Sequence, residues 1–273
     1  MDARTFLGIE PAGNELRWRL EVERRLSTPG EFLFGGCGLG AALVALEAAA
    51  GRPTIWATAQ YLSYAPTGSV VDFEVVLAAV GGHVTQGRAV ARSATEGTEI
   101  LTVNAALGRG TLEVGGVWVS PPKVPPADEC PRRELPSFFA GSILDHVDVR
   151  VAKGQRFEDI TLGPGEPASA LWARVPGHLD SSAAMLAIFG DYVSGAVSQP
   201  LGRRTMGRSL DNTLRMVQLE PTEWVLCDIQ IHALANGYAQ GLAFLWSEHG
   251  TLLATASQSM GIKLWPDEMS FER

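Results

Sequence analysis

The sequence predicts an α+β fold in which two antiparallel sheets each wrap around a central helix. Three observations carry that prediction. Segments 37–50 and 182–197 are apolar or small on nearly every face, so each needs apolar surroundings on all sides. Each is followed by several alternating, strand-like stretches joined by turn signals. The order of strand, buried helix and meander occurs twice along the chain.

The first copy opens with "LRWRLEV" (16–22), which alternates apolar and polar residues as a half-buried strand does. After "STPGEFLFGG" comes the Ala- and Leu-rich segment 37–50, with Gly51 as its C-terminal stop. Strands are predicted at 54–62, 70–77, 83–93 and 99–106, the last two joined by the hairpin "SATEGTE". In the second copy "LWARV" (171–175) stands for the opening strand, and "SSAAMLAIFGDYVSGAV" (181–197) for the helix, capped by Ser. Strands follow near 209–217, 224–232, 238–247 and 251–265. "TQGRA" (85–89) matches "AQGLA" (239–243), each a similar distance before its hairpin glycine, Gly97 or Gly250. One antiparallel sheet curled around one apolar helix is the architecture called a hot dog, so the chain is expected to be a double hot dog with the two sheets joined.

Between the copies, "SPPKVPPADECPRRELP" (120–136) holds six prolines among polar neighbours and cannot continue a sheet or helix. The expected organisation is an N-terminal unit at 1–115, a Pro-rich linker at 116–140 and a C-terminal unit at 141–273. The stretch 151–169 starts strand-like and ends as a Gly/Pro loop.

With 46% hydrophobic and 19% charged residues, the chain can bury a substantial core. Its formal net charge of −8 argues against a nucleic-acid partner. The cationic cluster of Arg203, Arg204, Arg208 and Arg215 is local, suited to a small anionic ligand or to solvating a turn. The opening "MDARTFLGIE" does not read as a signal peptide, and no apolar run reaches the roughly 18 residues a membrane span needs. Three cysteines without metal-ligand spacing fit the same picture, so a cytoplasmic protein without membrane insertion is expected. There is no G-x-S-x-G elbow, phosphate loop or dinucleotide fingerprint.

In the second half, "SLDNTLRM" and "PTEWVLCDIQIHALANGYAQGLAFLWSEHGTLLATASQSMG" resemble the acyl-CoA thioesterase II family in order and spacing. In the first half, "FLFGGCGLGAAL" is similar to the stretch that opens that family's central helix, and "YLSYAPTGS" to its following turn. The resemblance implies a double hot dog that hydrolyses an acyl-CoA to a free acid and CoA by direct attack of an activated water. It implies no cofactor and a homo-oligomer, with a dimer of chains the simplest form. Carried over position by position, the family's catalytic Asp falls on Asp211, its Gln on Gln258, and its Thr or Ser on His232.

The chemistry is consistent with these residue types. Thioester hydrolysis needs a base for water, groups that fix the water, and donors for the developing oxyanion. Asp211 could be the base, Gln258 could orient water with both amide functions, and His232 could bond the water or act as a second base. The amides of Gly35, Gly36 and Cys37, at a helix N-terminus, could bind negative charge. Arg203, Arg204 and Arg208 are candidates for CoA phosphates. Alternatives stand beside each reading. Asp211 could be a turn residue salt-bridged to Arg208 or Arg215, His232 a half-buried strand residue, and Gly35–Gly36 a tight helix entry. Cys37 could be a nucleophile or a small core residue. A non-catalytic acyl-CoA or lipid-binding protein on the same fold is the rival function, and a hydratase using Asp145 and His146 a weaker one.

Overall fold

The computed structural model describes residues 1–177 and 180–265. In the first half, α1 (Ala3–Leu7), β1 (Glu10–Pro11) and β2 (Arg17–Glu21) precede α2 (Gly35–Ala50). The meander β3 (Thr54–Tyr61), β4 (Val70–Val80), β5 (Val84–Ser93) and β6 (Glu99–Gly108) then follows. The second half contains α3 (Ile143–His146), β7 (Asp148–Lys153), β8 (Ala168–Arg174), α4 (Ala183–Gly190), α5 (Val193–Ala196) and α6 (Ser198–Leu201). It closes with β9 (Thr205–Ser209), β10 (Asp211–Met216), β11 (Val225–Ala235), β12 (Tyr238–Ser247) and β13 (Leu252–Leu264).

All strand pairings are antiparallel, and the strands make a single sheet rather than two. Its order is β1-β2-β4-β5-β6-β3-β10-β13-β12-β11-β8-β7, with β9 added alongside β13. Read outward from the β3–β10 seam, the sequences β3-β6-β5-β4-β2 and β10-β13-β12-β11-β8 mirror one another. The repeat in the sequence is therefore a repeat in topology. Even the irregularities match, with a register shift between Leu77 and Ala79 on β4 and another between Ile231 and Ala233 on β11.

The sheet curls around α2 and α4, which are buried among its inward residues. The shared "QG" motif has a packing cause. A Cβ at Gly87 would lie 2.8 Å from Leu46 of α2, and one at Gly241 would lie 2.8 Å from Val193 of α5. Glycine at both places lets the sheet close onto its helix. The two helices also touch directly, since a Cβ at Gly36 would meet the backbone of Ala187 and Ile188 at 2.7 and 2.8 Å.

The segment 182–197 departs from the single helix expected. Ser182 caps it as predicted, its hydroxyl accepting from the Met185 amide at 3.1 Å. The helix then stops after Gly190, and Asp191 adopts a non-helical conformation before α5 begins. Apolar periodicity cannot reveal this break, which falls where the Asp191 carboxylate takes up tertiary hydrogen bonds.

The Pro-rich stretch runs over the outer face of the second half. Trp172, Leu226 and Trp246 stand side by side on β8, β11 and β12 there, forming a small second core that Ala127 and Cys130 cover. Trp172 donates its indole N–H to the Pro125 carbonyl at 2.9 Å. Prolines suit such a strap because it needs few backbone donors and little freedom. Among the described residues, no helix is long and apolar enough to cross a membrane.

Candidate active site

Asp191 is a carboxylate inside an apolar core, and a charge there must be paired or hydrogen-bonded to persist. Three donors from three elements meet it. The Gly36 amide, in the first turn of α2, donates to Oδ2 at 2.7 Å. On the other oxygen, Gln258 Nε2 from β13 makes a short bond to Oδ1, and Asn212 Nδ2 from β10 approaches it at 3.5 Å. Gly36 lies where the unpaired amides and dipole of a 16-residue helix favour negative charge. Burial nonetheless dominates, raising the Asp191 pKa to about 7 against the lowering effects of Gly36, Gln258 and Asn212.

Gln258 is fixed by strand alternation. On β13, Ala254, Ala256, Gln258 and Met260 are buried and face the helices. Its amide group also donates to Ser209 Oγ at 3.3 Å, so both N–H protons have partners. Among the described residues its Oε1 is buried with no protein partner, as is Oδ1 of Asn212. Beside the carboxylate, either buried acceptor can hold a water by one proton, leaving the other for the carboxylate to take.

A cavity of about 400 Å3 opens against this cluster, within the size usual for small-ligand sites, about 300–1,000 Å3. Asp191, Ser209, Gly35 and Tyr61 are among its lining residues. Phe32, Phe34, Phe138, Phe139 and Trp265 make much of the remainder apolar. The wall is drawn from both halves of the chain.

Of the residues expected from the sequence, Gln258, Gly35 and Gly36 meet at this cluster. Asp211 stands outside it. On β10, Asn212 and Leu214 face inward and are fully buried, so Asp211, Thr213 and Arg215 point to the other face of the sheet. Thr213 confirms the parity by meeting Thr58, its outward neighbour on β3, at 2.8 Å between hydroxyl oxygens. Asp211 Oδ1 instead accepts from the Ser259 amide at 2.6 Å, where the pairing of β13 passes from β10 to β9. It thus supplies an acceptor at a ladder irregularity rather than an ion pair with Arg208 or Arg215.

His232 is also apart. Ile231 pairs with Gly241, and Gly241 with Gln258, while His232 occupies the bulge next to Ile231 and is exposed. Two strand spacings of about 4.8 Å and opposite faces of the sheet separate it from Gln258. Cys37 is fully buried, and burial first, then the Asp191 charge, push its thiol well above the ordinary range, so it is a core residue rather than a nucleophile. Among the arginines, Arg208 borders the cavity, its guanidinium 5.2 Å from the Tyr64 ring centre. Arg204 is held by the Phe157 and Glu158 carbonyls at 3.4 and 3.3 Å, and Arg203 is exposed.

Sequence reasoning missed Asp191, Ser209 and the site role of Asn212. A signal for Asp191 was present: it is the sole carboxylate of an otherwise uncharged, fully apolar segment, 182–197.

Comparison with known proteins now bears on this geometry. The model of a family described as the acyl-CoA thioesterase C-terminal domain matches residues 121–262, more than half of the chain. The chain belongs to this acyl-CoA thioesterase family. A solved structure from Novosphingobium aromaticivorans, assigned provisionally as a thioesterase, shares 30% identity with a TM-score of 0.82, covering 93% of this chain and 98% of that one. An Alicyclobacillus acidocaldarius protein described as having a hot dog fold and unknown function shares 18% identity, also with a TM-score of 0.82, over 97% and 98% of the two chains. An acyl-CoA thioesterase II from Mycobacterium marinum shares 16% identity with a TM-score of 0.70, over 98% and 99%. The latter two show the fold alone. No curated protein matches the chain. The family's double hot dog is the architecture described above, with its two sheets fused at the β3–β10 seam.

Proposed function

We propose that the protein hydrolyses an acyl-CoA thioester to a free acid and CoA, with Asp191 as the general base. The observation that carries this reading is the buried Asp191 carboxylate, bonded by Gln258 and Gly36 and bordering an apolar cavity. A water between Asp191 and Gln258 Oε1 gives one proton to Asp191 as its oxygen bonds to the thioester carbon. The carbonyl π pair moves onto oxygen, then returns as the C–S bond breaks. The CoA thiolate leaves, taking the proton from Asp191 directly or through solvent. A base with a pKa near 7 is well matched to this task, because a large fraction is ionised at neutral pH and that fraction is still basic. Ser209 supports Gln258, the acyl chain occupies the aromatic-lined part of the cavity, and Arg208 is placed to meet a CoA phosphate at its edge. Cytoplasmic location and association as a homodimer remain parts of the same proposal.

The test is release of free thiol from a panel of acyl-CoAs of increasing chain length, alongside binding of each. Saturable turnover of at least one supports the proposal. Tight binding without any thiol release would favour the rival reading of a non-catalytic acyl-CoA-binding protein.

A further inference from the structure

The hydrolytic reading rests partly on donors for the oxyanion, and the structure has committed one of the expected three. The Gly36 amide is used by Asp191. A replacement lines the same cavity beside Gly35. Tyr61 ends β3, in line with the inward Ala57 and Ala59, so strand alternation turns its side chain toward the helices. Its backbone amide donates to Leu210 at 3.0 Å, which pins it at the seam between the halves. The ring lines the cavity.

The placement of its hydroxyl is specific. A Cβ built on Gly35 would lie 2.9 Å from Asp191 Oδ2 and 3.0 Å from Tyr61 Oη. Asp191 Oδ2 and Tyr61 Oη therefore both border the position that a side chain at Gly35 would take, which glycine keeps open. Tyr61 Oη is buried beside the Asn212 side chain and makes no well-formed hydrogen bond among the described residues. A buried hydroxyl of that kind costs stability and requires an explanation. Burial first, and then the Asp191 charge, hold its phenol well above the usual range, with nearby Asn212 offsetting this in part. The proton is therefore on the oxygen at neutral pH.

We propose that Tyr61 is a catalytic residue that donates its hydroxyl hydrogen bond to the thioester carbonyl oxygen as negative charge develops there. This inference rests on the hydrolytic reading above. The tyrosine keeps its proton throughout. As the water oxygen bonds to carbon, the carbonyl π pair moves onto an oxygen facing Tyr61 Oη, and the pair returns when the C–S bond breaks. A donor fixed in a buried site favours the tetrahedral state over the planar thioester, because charge is larger there.

The test is Tyr61→Phe, which removes one oxygen and keeps the ring. Turnover should fall about 10²-fold with KM changed little, since loss of one oxyanion donor typically costs that much. The acid limb of the pH–rate profile, set by Asp191, should stay in place. The melting temperature should be unchanged or raised, because the hydroxyl removed makes no well-formed hydrogen bond among the described residues. A second readout uses the Asp191→Asn variant loaded with acyl-CoA. The infrared carbonyl stretch of the bound thioester should shift to lower frequency, and adding Tyr61→Phe should abolish the shift. Wild-type turnover with Tyr61→Phe within twofold of it, or a change in KM alone, overturns the assignment and leaves the hydrolytic reading intact. If wild type releases no thiol from any acyl-CoA, the hydrolytic reading falls and this assignment with it.

Discussion

Asp191 and Asp211 show how one chemical group takes two roles from its position on a strand or helix. Asp211 is the carboxylate that sequence register marks, next to arginines and just before a strand. Alternation along β10 sends it to the outer face, where it caps the Ser259 amide. Truncating it as Asp211→Ala should leave turnover within about twofold. The melting temperature should fall modestly, consistent with loss of one solvent-exposed hydrogen bond worth about 1 kcal/mol. A thiol-release assay and a thermal melt check both. Gln258 is the reverse case. Gln258→Ala should lower turnover about 10²-fold, because Asp191 loses its orienting donor and the water its acceptor. A loss in KM alone would place Gln258 in binding rather than in water activation.

At the scale of elements, the sequence shows where the helices and strands lie but not how closely they approach. The apolar all-round segments, the hairpin glycines and the shared "QG" motif are legible because each follows from local chemistry or from burial on every face. The break after Gly190 and the parity of β10 are not legible, since both depend on partners far along the chain. Asp191 bonds residues at positions 36, 212 and 258. Glycines at the close approaches make this testable. Gly36→Ala would drive a methyl into the backbone of Ala187 and Ile188, which cannot yield cheaply. It should destabilise the fold by about 2 kcal/mol or more. Gly87→Ala meets the flexible end of Leu46 at the same distance and should cost about 1 kcal/mol or less. Denaturant titration of the two variants should rank them in that order. Equal losses would mean that the helix pair is looser than its geometry implies.

The whole molecule uses its doubled architecture to build one site from two halves. Gly35, Gly36 and Tyr61 come from the first half, and Asp191, Ser209, Asn212 and Gln258 from the second, meeting where β3 and β10 fuse the sheets. The duplicated topology was legible from the repeat, but this shared centre was not, because neither copy contains it alone. A stability consequence follows from the buried carboxylate. The Asp191 pKa stands near 7 when folded, against 3.8 for the ordinary value. The folded state thus binds more protons than the unfolded state between those values, and stability falls as pH rises through that window. Between pH 4 and pH 8 the loss from this group is on the order of a few kcal/mol. Thermal melts of wild type and Asp191→Asn across this range should show the variant gaining relative to wild type as pH rises.

The most direct measurement of the central claim, that Asp191 is the base, is the pH dependence of kcat/KM for wild type and Asp191→Asn on one acyl-CoA. Wild type should rise to a plateau through an apparent pKa near 7, since only the ionised carboxylate accepts the proton of water. The variant should be slower by about 10²-fold or more at the plateau and should lose that limb. A variant that keeps wild-type rate and the same limb would contradict the account and move the base elsewhere.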